Sequence, residues 1–186
     1  NIEGAEMVVY SAAISKENPE LKAAIESGIP TFQRAELLGE VSRQFTNCIG
    51  VCGTHGKTTV TSLTVQTMIE AGLDPSAVIG GKLPLTNSYG RVGNTETIVM
   101  ESCEYQDTFL KMSPDVAVIL NIDEDHLEYF KTMENLILSF TKFASSATKA
   151  VIYNGDDENT LKAIADIKGK ELISFGFDKK NDYYAE

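Results

Sequence analysis

Seven consecutive residues carry the clearest chemical signal in this 186-residue sequence. They are Gly53, Thr54, His55, Gly56, Lys57, Thr58 and Thr59. Glycines let a backbone approach an anion closely, and the first N–H groups of a following helix point toward that anion. A lysine at this position would neutralise phosphate charge, and the hydroxyl of the next threonine would coordinate Mg²⁺. The stretch therefore predicts a loop that binds the phosphate groups of a nucleotide.

The spacing of this loop differs from that of the common P-loop, GxxxxGK[ST], because Val51 stands where that pattern requires a glycine. A glycine-rich turn with Lys57 in solvent is the simpler alternative. The apolar run before the loop and the helical pattern after it favour phosphate binding. Two readings of His55 remain open: it faces a negative group of a second substrate, or it is a loop histidine hydrogen-bonded to the backbone.

Acidic residues follow a second apolar run, residues 97–102. Glu101 stands at the end of this predicted strand, and Glu104 follows it. Mg²⁺ that is bound to a nucleotide takes one or two protein carboxylates together with phosphate oxygens and water. Glu101 is therefore the expected carboxylate ligand. Cys103 is expected to be a buried thiol rather than a nucleophile, because no histidine lies near it in sequence to activate it.

A third polar cluster ends the most apolar predicted strand, residues 116–122. Its candidate ligands are Asn121, Asp125 and His126. On the residues alone, we favour a polar turn that caps the next helix and leaves His126 exposed. The alternative is that these side chains, His126 above all, belong to a functional site.

The elements that must position these residues alternate between strands and helices from residue 47 onward. Predicted strands cover residues 47–53, 97–102, 116–122, 149–154 and 171–176, and predicted helices cover 57–72, 132–147 and 159–167. Continuous apolar strands separated by helices predict an α/β fold with a mostly parallel sheet and helices on both faces. In such sheets ligands bind beyond the carboxyl ends of the strands, where all three polar motifs fall. Residues 80–94, rich in glycine and without clear periodicity, are predicted to form a loop.

The first 46 residues form a separate unit in this reading. A strand within residues 5–14 and helices at 18–28 and 30–45 are too few to close a core. We therefore expect residues 1–46 to be the end of a preceding α/β domain with its linker, or a lid on the next domain. Residues 47–186 are expected to be an incomplete nucleotide-binding domain.

Composition narrows the possible partners. Sixteen lysine and arginine residues stand against 27 aspartate and glutamate residues, which gives a formal net charge of −11. Such a surface repels nucleic acid and anionic membranes. The three cysteines have no CxxC spacing, which indicates a reduced, cytosolic compartment, and no apolar run approaches the roughly 20 residues of a membrane span. We therefore expect neither nucleic-acid binding nor membrane insertion.

The motif GTHGKTT resembles the ATP-binding loop of the Mur ligases, the ATP-dependent amide ligases of peptidoglycan precursor synthesis. The resemblance extends from VVYSAAISKENPELKAAIESGIPTFQRAELLGE through VIYNGDDEN and covers most of the chain. It is closest to the member that adds L-alanine to UDP-N-acetylmuramate. It implies a reaction with ATP and Mg²⁺ in which the carboxylate of the sugar nucleotide becomes an acyl phosphate, which the amine of alanine then attacks.

The resemblance also implies roles for single residues. Lys57, Glu101 and His126 would be catalytic. Lys57 would contact phosphates, Thr58 and Glu101 would bind Mg²⁺, and Asn121 and Asp125 would orient the histidine or bind water. His126 would bind a second Mg²⁺. This last role reverses the reading of His126 as an exposed turn residue. Many family members have EADESD where this chain has ESCEYQ, so Cys103 and Gln106 replace acids, whereas Glu104 falls on a family acid.

Three rivals remain beside the alanine-adding member: a murein-peptide ligase, a folylpolyglutamate synthase, and a non-catalytic nucleotide-binding module. The segment SAAISKENPEL favours the alanine-adding member. The resemblance further implies that the first part of the uridine-nucleotide domain and the whole C-terminal domain are absent from this sequence. We therefore expect the chain alone to bind nucleotide weakly and not to turn over. Its sequence contains no indication of oligomeric state.

Overall fold

The structure is a computed structural model that describes residues 2–83 and 87–185. Its strands are β1 Val8–Tyr10, β2 Thr31–Gln33, β3 Asn47–Cys52, β4 Ser76–Leu83, β5 Ser88–Arg91, β6 Thr97–Glu101, β7 Val116–Ile119, β8 Ala150–Asn154, β9 Glu171–Gly176 and β10 Tyr183–Tyr184. Its α-helices are α1 Pro19–Glu26, α2 Arg34–Ser42, α3 Lys57–Glu70, α4 Leu127–Phe130, α5 Met133–Ser146 and α6 Glu158–Ile164. A kinked 3₁₀ segment spans Tyr105–Lys111.

The described strands form two sheets. β1 and β2 pair in parallel as a small separate sheet. The other eight lie in the order β10-β9-β8-β7-β3-β6-β4-β5, and every pairing is parallel except that of β4 with β5. The predicted α/β fold with a mostly parallel sheet is therefore confirmed.

The central strand β3 shows why its sequence is an almost continuous apolar run. Val51 packs in one cluster with Val65 of α3, whereas Cys52 packs in another cluster with Phe143 of α5. Successive side chains of a strand point to opposite faces of a sheet. Helices therefore cover both faces at this strand, and both faces favour apolar side chains.

Side-chain caps fix the starts of the two helices that follow the site. Thr132 accepts the N–H of Asn135 at the start of α5. Asp157 accepts the N–H of Thr160 at the start of α6, and the same oxygen accepts the N–H of Ile122. Caps of this kind contribute about 1 kcal/mol each. Asp157 also ties α6 to the segment that follows β7.

The N-terminal elements pack on the main sheet through α2. The hydroxyl of Ser42 accepts the N–H of Ser113. Gly39 lies so close to the end of the 3₁₀ segment that a Cβ there would be 2.2 Å from the carbonyl oxygen of Lys111. Leu38 packs against a buried cluster that contains Met100 of β6. Residues 1–46 thus contact the sheet on the side of β6.

Most predicted elements are confirmed within three residues at each end, but two predictions were wrong. The predicted loop at 80–94 contains the end of β4 and all of β5, while Pro84, Leu85 and Thr86 lie outside the described residues. Three of its four glycines, Gly80, Gly81 and Gly90, are strand residues where other groups approach closely, so composition concealed the strands. The predicted helix at 30–45 begins instead with β2. Among the described helices, none has the length and apolarity to cross a bilayer.

We predict that Gly50→Ala lowers the free energy of unfolding by about 1–3 kcal/mol, because the added methyl overpacks the core. A Cβ there would lie 2.9 Å from Cζ of Phe143 and 3.1 Å from Oγ of Ser102. The Phe143 ring cannot simply move aside, since it stacks on Phe109 with ring centroids 4.8 Å apart. Urea denaturation of both proteins measures the difference.

The control for Gly50→Ala is the same change in a Phe143→Leu background, where the smaller side chain leaves room for the methyl group. We expect Gly50→Ala to cost less free energy of unfolding in that background. An equal cost in both backgrounds would show that the contact with Phe143 is not the cause.

Candidate functional site

The candidate site lies where three neighbouring parallel strands end. β3 lies between β6 and β7, and all three run in the same direction. The loop of residues 53–59 follows β3, Glu101 ends β6, and residues 121–126 follow β7. From β3 the chain continues to β4, which lies on the β6 side of β3. It later crosses from β6 to β7, on the opposite side of β3. This is a topological switch point, the usual ligand position in such sheets.

Two glycines shape the loop between β3 and α3. Gly53 has φ 141° and Gly56, which precedes the first residue of α3, has φ 83°, both in the region that favours glycine. A Cβ on Gly53 would also lie 2.9 Å from Cβ of Leu120 at the end of β7. The loop therefore passes directly over the end of β7 before entering the helix. The first N–H groups of α3 then lack partners within the helix and point out of its N-terminus.

Hydrogen bonds fasten this loop to the segment that follows β7. The side-chain amide of Asn121 accepts the N–H of His55 at 2.8 Å and donates to the carbonyl oxygen of His55 at 3.1 Å. The hydroxyl of Thr54 accepts the N–H of Asp123 at 2.9 Å. Asn121 thus positions the loop backbone. This is a role that its sequence context, beside a candidate metal-ligating histidine, did not indicate.

A cavity of about 280 Å³ opens over the loop. Its lining residues are Thr54, His55, Gly56, Lys57, Thr58, Thr59 and Glu101. Six of the seven predicted phosphate-binding residues therefore face one space together with the predicted carboxylate. The seventh, Gly53, is buried beneath them.

Thr58 and Glu101 meet on one side of this space. The Thr58 hydroxyl donates to Oε1 of Glu101 at 2.9 Å, and the N–H of Gly80 donates to Oε2 at 2.6 Å. A Cβ on Gly80 would come within 2.6 Å of the Glu101 carboxylate, so a larger residue there would displace that carboxylate. A hydroxyl and a carboxylate at this distance are the donor pair expected for a phosphate-bound Mg²⁺.

Lys57 points to the other side of the loop. Its ammonium donates to the carbonyl oxygens of Gly53 at 2.6 Å and Thr54 at 3.2 Å and to Oε1 of Glu104 at 3.1 Å. The Lys57 side chain is 14% exposed and that of Glu104 only 1% exposed. The two charges therefore form a largely desolvated ion pair, in which each stabilises the other.

Glu104 also belongs to a group that could hold a metal ion. Ligand atoms of Glu104, Asp125 and His126 all lie within 4.8 Å of one another. Oε2 of Glu104 lies 3.0 Å from the Lys57 ammonium but makes no hydrogen bond, although it is buried. A buried carboxylate oxygen without a hydrogen bond beside a histidine and a second acid fits a divalent cation. The two carboxylates of this group are ligands that suit Mg²⁺ and Mn²⁺.

The predicted catalytic residues thus fall into two groups joined by the loop. Thr58 contacts Glu101, whereas Lys57 contacts Glu104, which in turn lies beside His126. Glu104, which sequence reasoning assigned no role, joins the lysine to the histidine. The sequence feature that could have identified Glu104 is its position three residues after Glu101, where the resembled family also has an acid.

Two further predictions from the sequence concern Cys103 and His55. Cys103 is exposed, so the expectation of a buried thiol was wrong. Its neighbours Ser102 and Glu104 both point inward and are buried, which leaves the residue between them pointing out. The His55 ring is 67% exposed, with Nε2 lying 3.6 Å from Oδ2 of Asp123, and the choice between its two readings stays open.

The remaining cysteines are structural. Burial raises the pKa of the Cys48 thiol to about 12, and the Asp115 carboxylate adds to this effect. Burial also raises the pKa of Cys52 well above its usual value, and the nearby charge of Glu104 acts in the same direction. Both thiols therefore stay protonated at neutral pH and cannot serve as nucleophiles.

A second cavity of about 190 Å³ lies beside Glu101 on the side of the N-terminal elements. It is lined on one side by Cys103 and Tyr105 and on the other by Ser11 and Arg34. This space connects the candidate site with residues 1–46.

Comparison with protein families gives two matches. The family model described as Mur ligase middle domain matches residues 51–186. The model described as Mur ligase family, catalytic domain, matches residues 1–46. The first match alone covers well over half of the chain and includes all of the predicted catalytic residues.

Similar proteins carry related names. A UDP-N-acetylmuramate--L-alanine ligase of Caldanaerobacter subterraneus subsp. tengcongensis is 43% identical over 185 residues, which are 98% of this chain and 40% of that protein. The crystal structure of a UDP-N-acetylmuramate-alanine ligase of Thermotoga maritima has a TM-score of 0.83 at 24% identity, covering 97% of this chain and 41% of that chain. A murein peptide ligase of Psychrobacter arcticus has a TM-score of 0.82 at 21% identity, covering 100% of this chain and 44% of that chain. The chain thus spans about two fifths of the length of these proteins.

We predict that Lys57→Met lowers the free energy of unfolding on the order of 3 kcal/mol, because it leaves the Glu104 carboxylate buried without its cation. Adding Glu104→Gln should recover most of this loss, since the double variant buries no unpaired charge. Urea denaturation at pH 7 of the wild type, both single variants and the double variant measures the coupling. Effects that simply add would contradict the buried ion pair.

Proposed function

The chain belongs to the Mur ligase family, and from this premise we propose that it is the ATP-binding part of a ligase that joins L-alanine to UDP-N-acetylmuramate. The substrate assignment rests on the 43% identity to a relative of that name over 98% of this chain. Likeness in fold alone does not distinguish the alanine-adding ligase from a murein peptide ligase, since the two solved structures have TM-scores of 0.83 and 0.82.

One observation carries the proposal. The ends of β3, β6 and β7 bring a lysine, a threonine hydroxyl, two glutamates and a histidine around one loop whose cavity is open to a ligand. Phosphoryl transfer requires little covalent chemistry from a protein and depends mainly on positioning and charge neutralisation. This set of side chains supplies both.

The donor sets fit divalent cations at two places. Thr58 with Glu101 would hold an ion on the phosphates, and Glu104 with Asp125 and His126 would hold a second one. When bound, these ions would neutralise phosphate charge and polarise the reacting oxygens. ATP would be a co-substrate that donates its γ-phosphoryl group to the carboxylate of the sugar nucleotide. The amine of alanine would then displace phosphate from the acyl phosphate.

The residues of the chain would act mainly by binding and orienting. Backbone N–H groups at the start of α3 would donate to phosphate oxygens, favoured by the helix dipole. Lys57 would leave the carbonyl oxygens of Gly53 and Thr54 to contact the phosphates, a short movement because its ammonium already lies beneath the loop. Asn121 would keep the loop backbone in place during this exchange.

The second cavity is our proposed space for the acyl end of the sugar nucleotide. It lies next to Glu101, and Arg34 contributes a cation to its wall. A carboxylate arriving from this side would reach the end of β6, where the phosphate loop also opens. The lining by residues on both sides of position 46 agrees with our proposal that residues 1–46 end a substrate-binding domain and residues 47–186 form most of the ATP-binding domain.

We predict that Glu101→Ala and His126→Ala each reduce ATP turnover by about 100-fold or more in the complete gene product that contains this chain. Phosphate release is measured with ATP, Mg²⁺, UDP-N-acetylmuramate and L-alanine. Circular dichroism should show that both variants keep their fold, since neither side chain belongs to the apolar core. Lys179→Ala, which changes an exposed residue outside the site, is the matched control.

The outcomes separate the rival functions. Turnover with L-alanine that is lost in both variants supports the proposal. Turnover with the peptide L-alanyl-γ-D-glutamyl-meso-diaminopimelate in place of L-alanine would identify a murein peptide ligase instead. Full activity of both variants would contradict the assigned site. The absence of ATP turnover by the wild type with either substrate would favour a folylpolyglutamate synthase or a non-catalytic nucleotide-binding module.

A further inference from the structure

The carboxylate of Asp107 joins three segments that surround the candidate metal site. Oδ2 of Asp107 accepts a hydrogen bond from the Tyr129 hydroxyl at 2.9 Å, and Oδ1 accepts one from the Ser139 hydroxyl. Asp107 lies in the 3₁₀ segment after β6, Tyr129 lies in α4, and Ser139 lies in α5. One side chain therefore connects the chain after β6 with the chain after β7.

The backbone at this carboxylate is held in an unfavourable conformation. Gln106 has φ 53° and Asp107 has φ 58°, and these two consecutive residues kink the 3₁₀ segment. Left-handed conformations are uncommon for residues other than glycine and persist only where the surrounding structure enforces them. The two hydrogen bonds from Tyr129 and Ser139 provide such an enforcement. Ser139 is buried, so the hydrogen bond to Asp107 also satisfies a hydroxyl that has little access to water.

The two ends of this connection carry the metal-binding side chains. Glu104 precedes the 3₁₀ segment, and its carbonyl oxygen accepts the N–H of Asp107 at 2.9 Å. His126 precedes α4, and its carbonyl oxygen accepts the N–H of Tyr129 at 2.9 Å. The Asp107–Tyr129 hydrogen bond therefore closes a ring of contacts that includes both Glu104 and His126.

A ring contact within the same assembly holds the histidine itself. The Tyr105 ring lies against the His126 ring with centroids 4.8 Å apart at 50°. Tyr105 stands between Glu104 and the kink at Gln106, so a shift of the 3₁₀ segment would move it relative to His126. The position of the His126 imidazole thus depends on that segment as well as on α4.

We propose that Asp107 is a positioning residue that sets the separation between the Glu104 carboxylate and the His126 imidazole through its hydrogen bonds to Tyr129 and Ser139. Asp107 itself does not belong to the group of candidate ligands. It acts through the backbone on both ligands at once. Partners of this kind, which orient metal ligands, typically contribute 10- to 100-fold to metal affinity.

The proposal rests on the metal site of the proposed function, and its test uses two measurements that respond differently if that function fails. The protein is the complete gene product, and the variants are Asp107→Ala, Tyr129→Phe and Ser139→Ala. The first measurement is the affinity for Mn²⁺, which is determined from the electron paramagnetic resonance signal of the free ion. The second is the ring-proton NMR signal of His126 without metal, assigned by its loss in His126→Gln.

We expect Asp107→Ala to weaken Mn²⁺ binding by about tenfold, which is the lower end of the usual effect when a partner that orients a metal ligand is removed. Tyr129→Phe and Ser139→Ala should each weaken it less, because each removes one of the two hydrogen bonds. In the metal-free protein, Asp107→Ala should shift the His126 ring signal, since the Tyr105 ring moves with the 3₁₀ segment. Asp166→Ala, which changes an exposed aspartate in another part of the fold, should leave both signals unchanged.

The possible results are distinct. A lower melting temperature for Asp107→Ala, with unchanged Mn²⁺ affinity and an unchanged His126 signal, would reduce Asp107 to a structural role and overturn the proposal. Failure of the wild-type protein to bind Mn²⁺ would contradict the metal site of the proposed function. In that case a shifted His126 signal in Asp107→Ala would still support the positioning role, and an unshifted signal would overturn it.

Discussion

The parallel pairing of β3 with β6 on one side and with β7 on the other is the constraint on which the site depends. Parallel strands carry their carboxyl ends to the same edge of a sheet, so the segments after all three strands must meet there. The phosphate loop is shaped by this meeting rather than by its own sequence alone. Gly53 has to be glycine because the end of β7 lies against it, and Asn121 from that end holds the loop backbone.

Repulsion between the acidic residues of the site and a nucleotide is the second constraint. A site built from Glu101, Glu104 and Asp125 in a chain of net charge −11 repels a nucleotide unless cations intervene. Lys57 is the cation that the described structure has in direct contact with these acids, and Glu104 already shares it. The acids therefore make sense as ligands of divalent ions that enter with the phosphates. Without such ions, the buried Glu104–Lys57 pair keeps the loop compact and its charges compensated.

Unusual backbone conformations concentrate around the same site. Gln106, Asp107 and His126 all have positive φ values, and each lies within a segment that carries or supports a candidate ligand. Such conformations cost free energy and persist where hydrogen bonds or packing compensate for them. Here the compensation comes from residues of neighbouring segments, Tyr129 and Ser139 among them. The fold thus stabilises a local geometry that the local sequence would not adopt by itself.

The sequence alone determined the elements whose signals are local. The apolar runs of β3, β6 and β7, the helical pattern of α3 and the GTHGKTT loop depend on neighbouring residues, so fold class and the loop position followed directly from them. Only the tertiary structure decided that Glu104 joins Lys57 to His126, that Cys103 points outward, and that parts of the glycine-rich segment 80–94 form strands. Each of these depends on residues distant in sequence: Glu104 lies 47 positions from Lys57, and Gly80 accommodates the carboxylate of Glu101. Packing between elements sets the directions of side chains and the close approaches between segments. The periodicity of the sequence within one element does not indicate either.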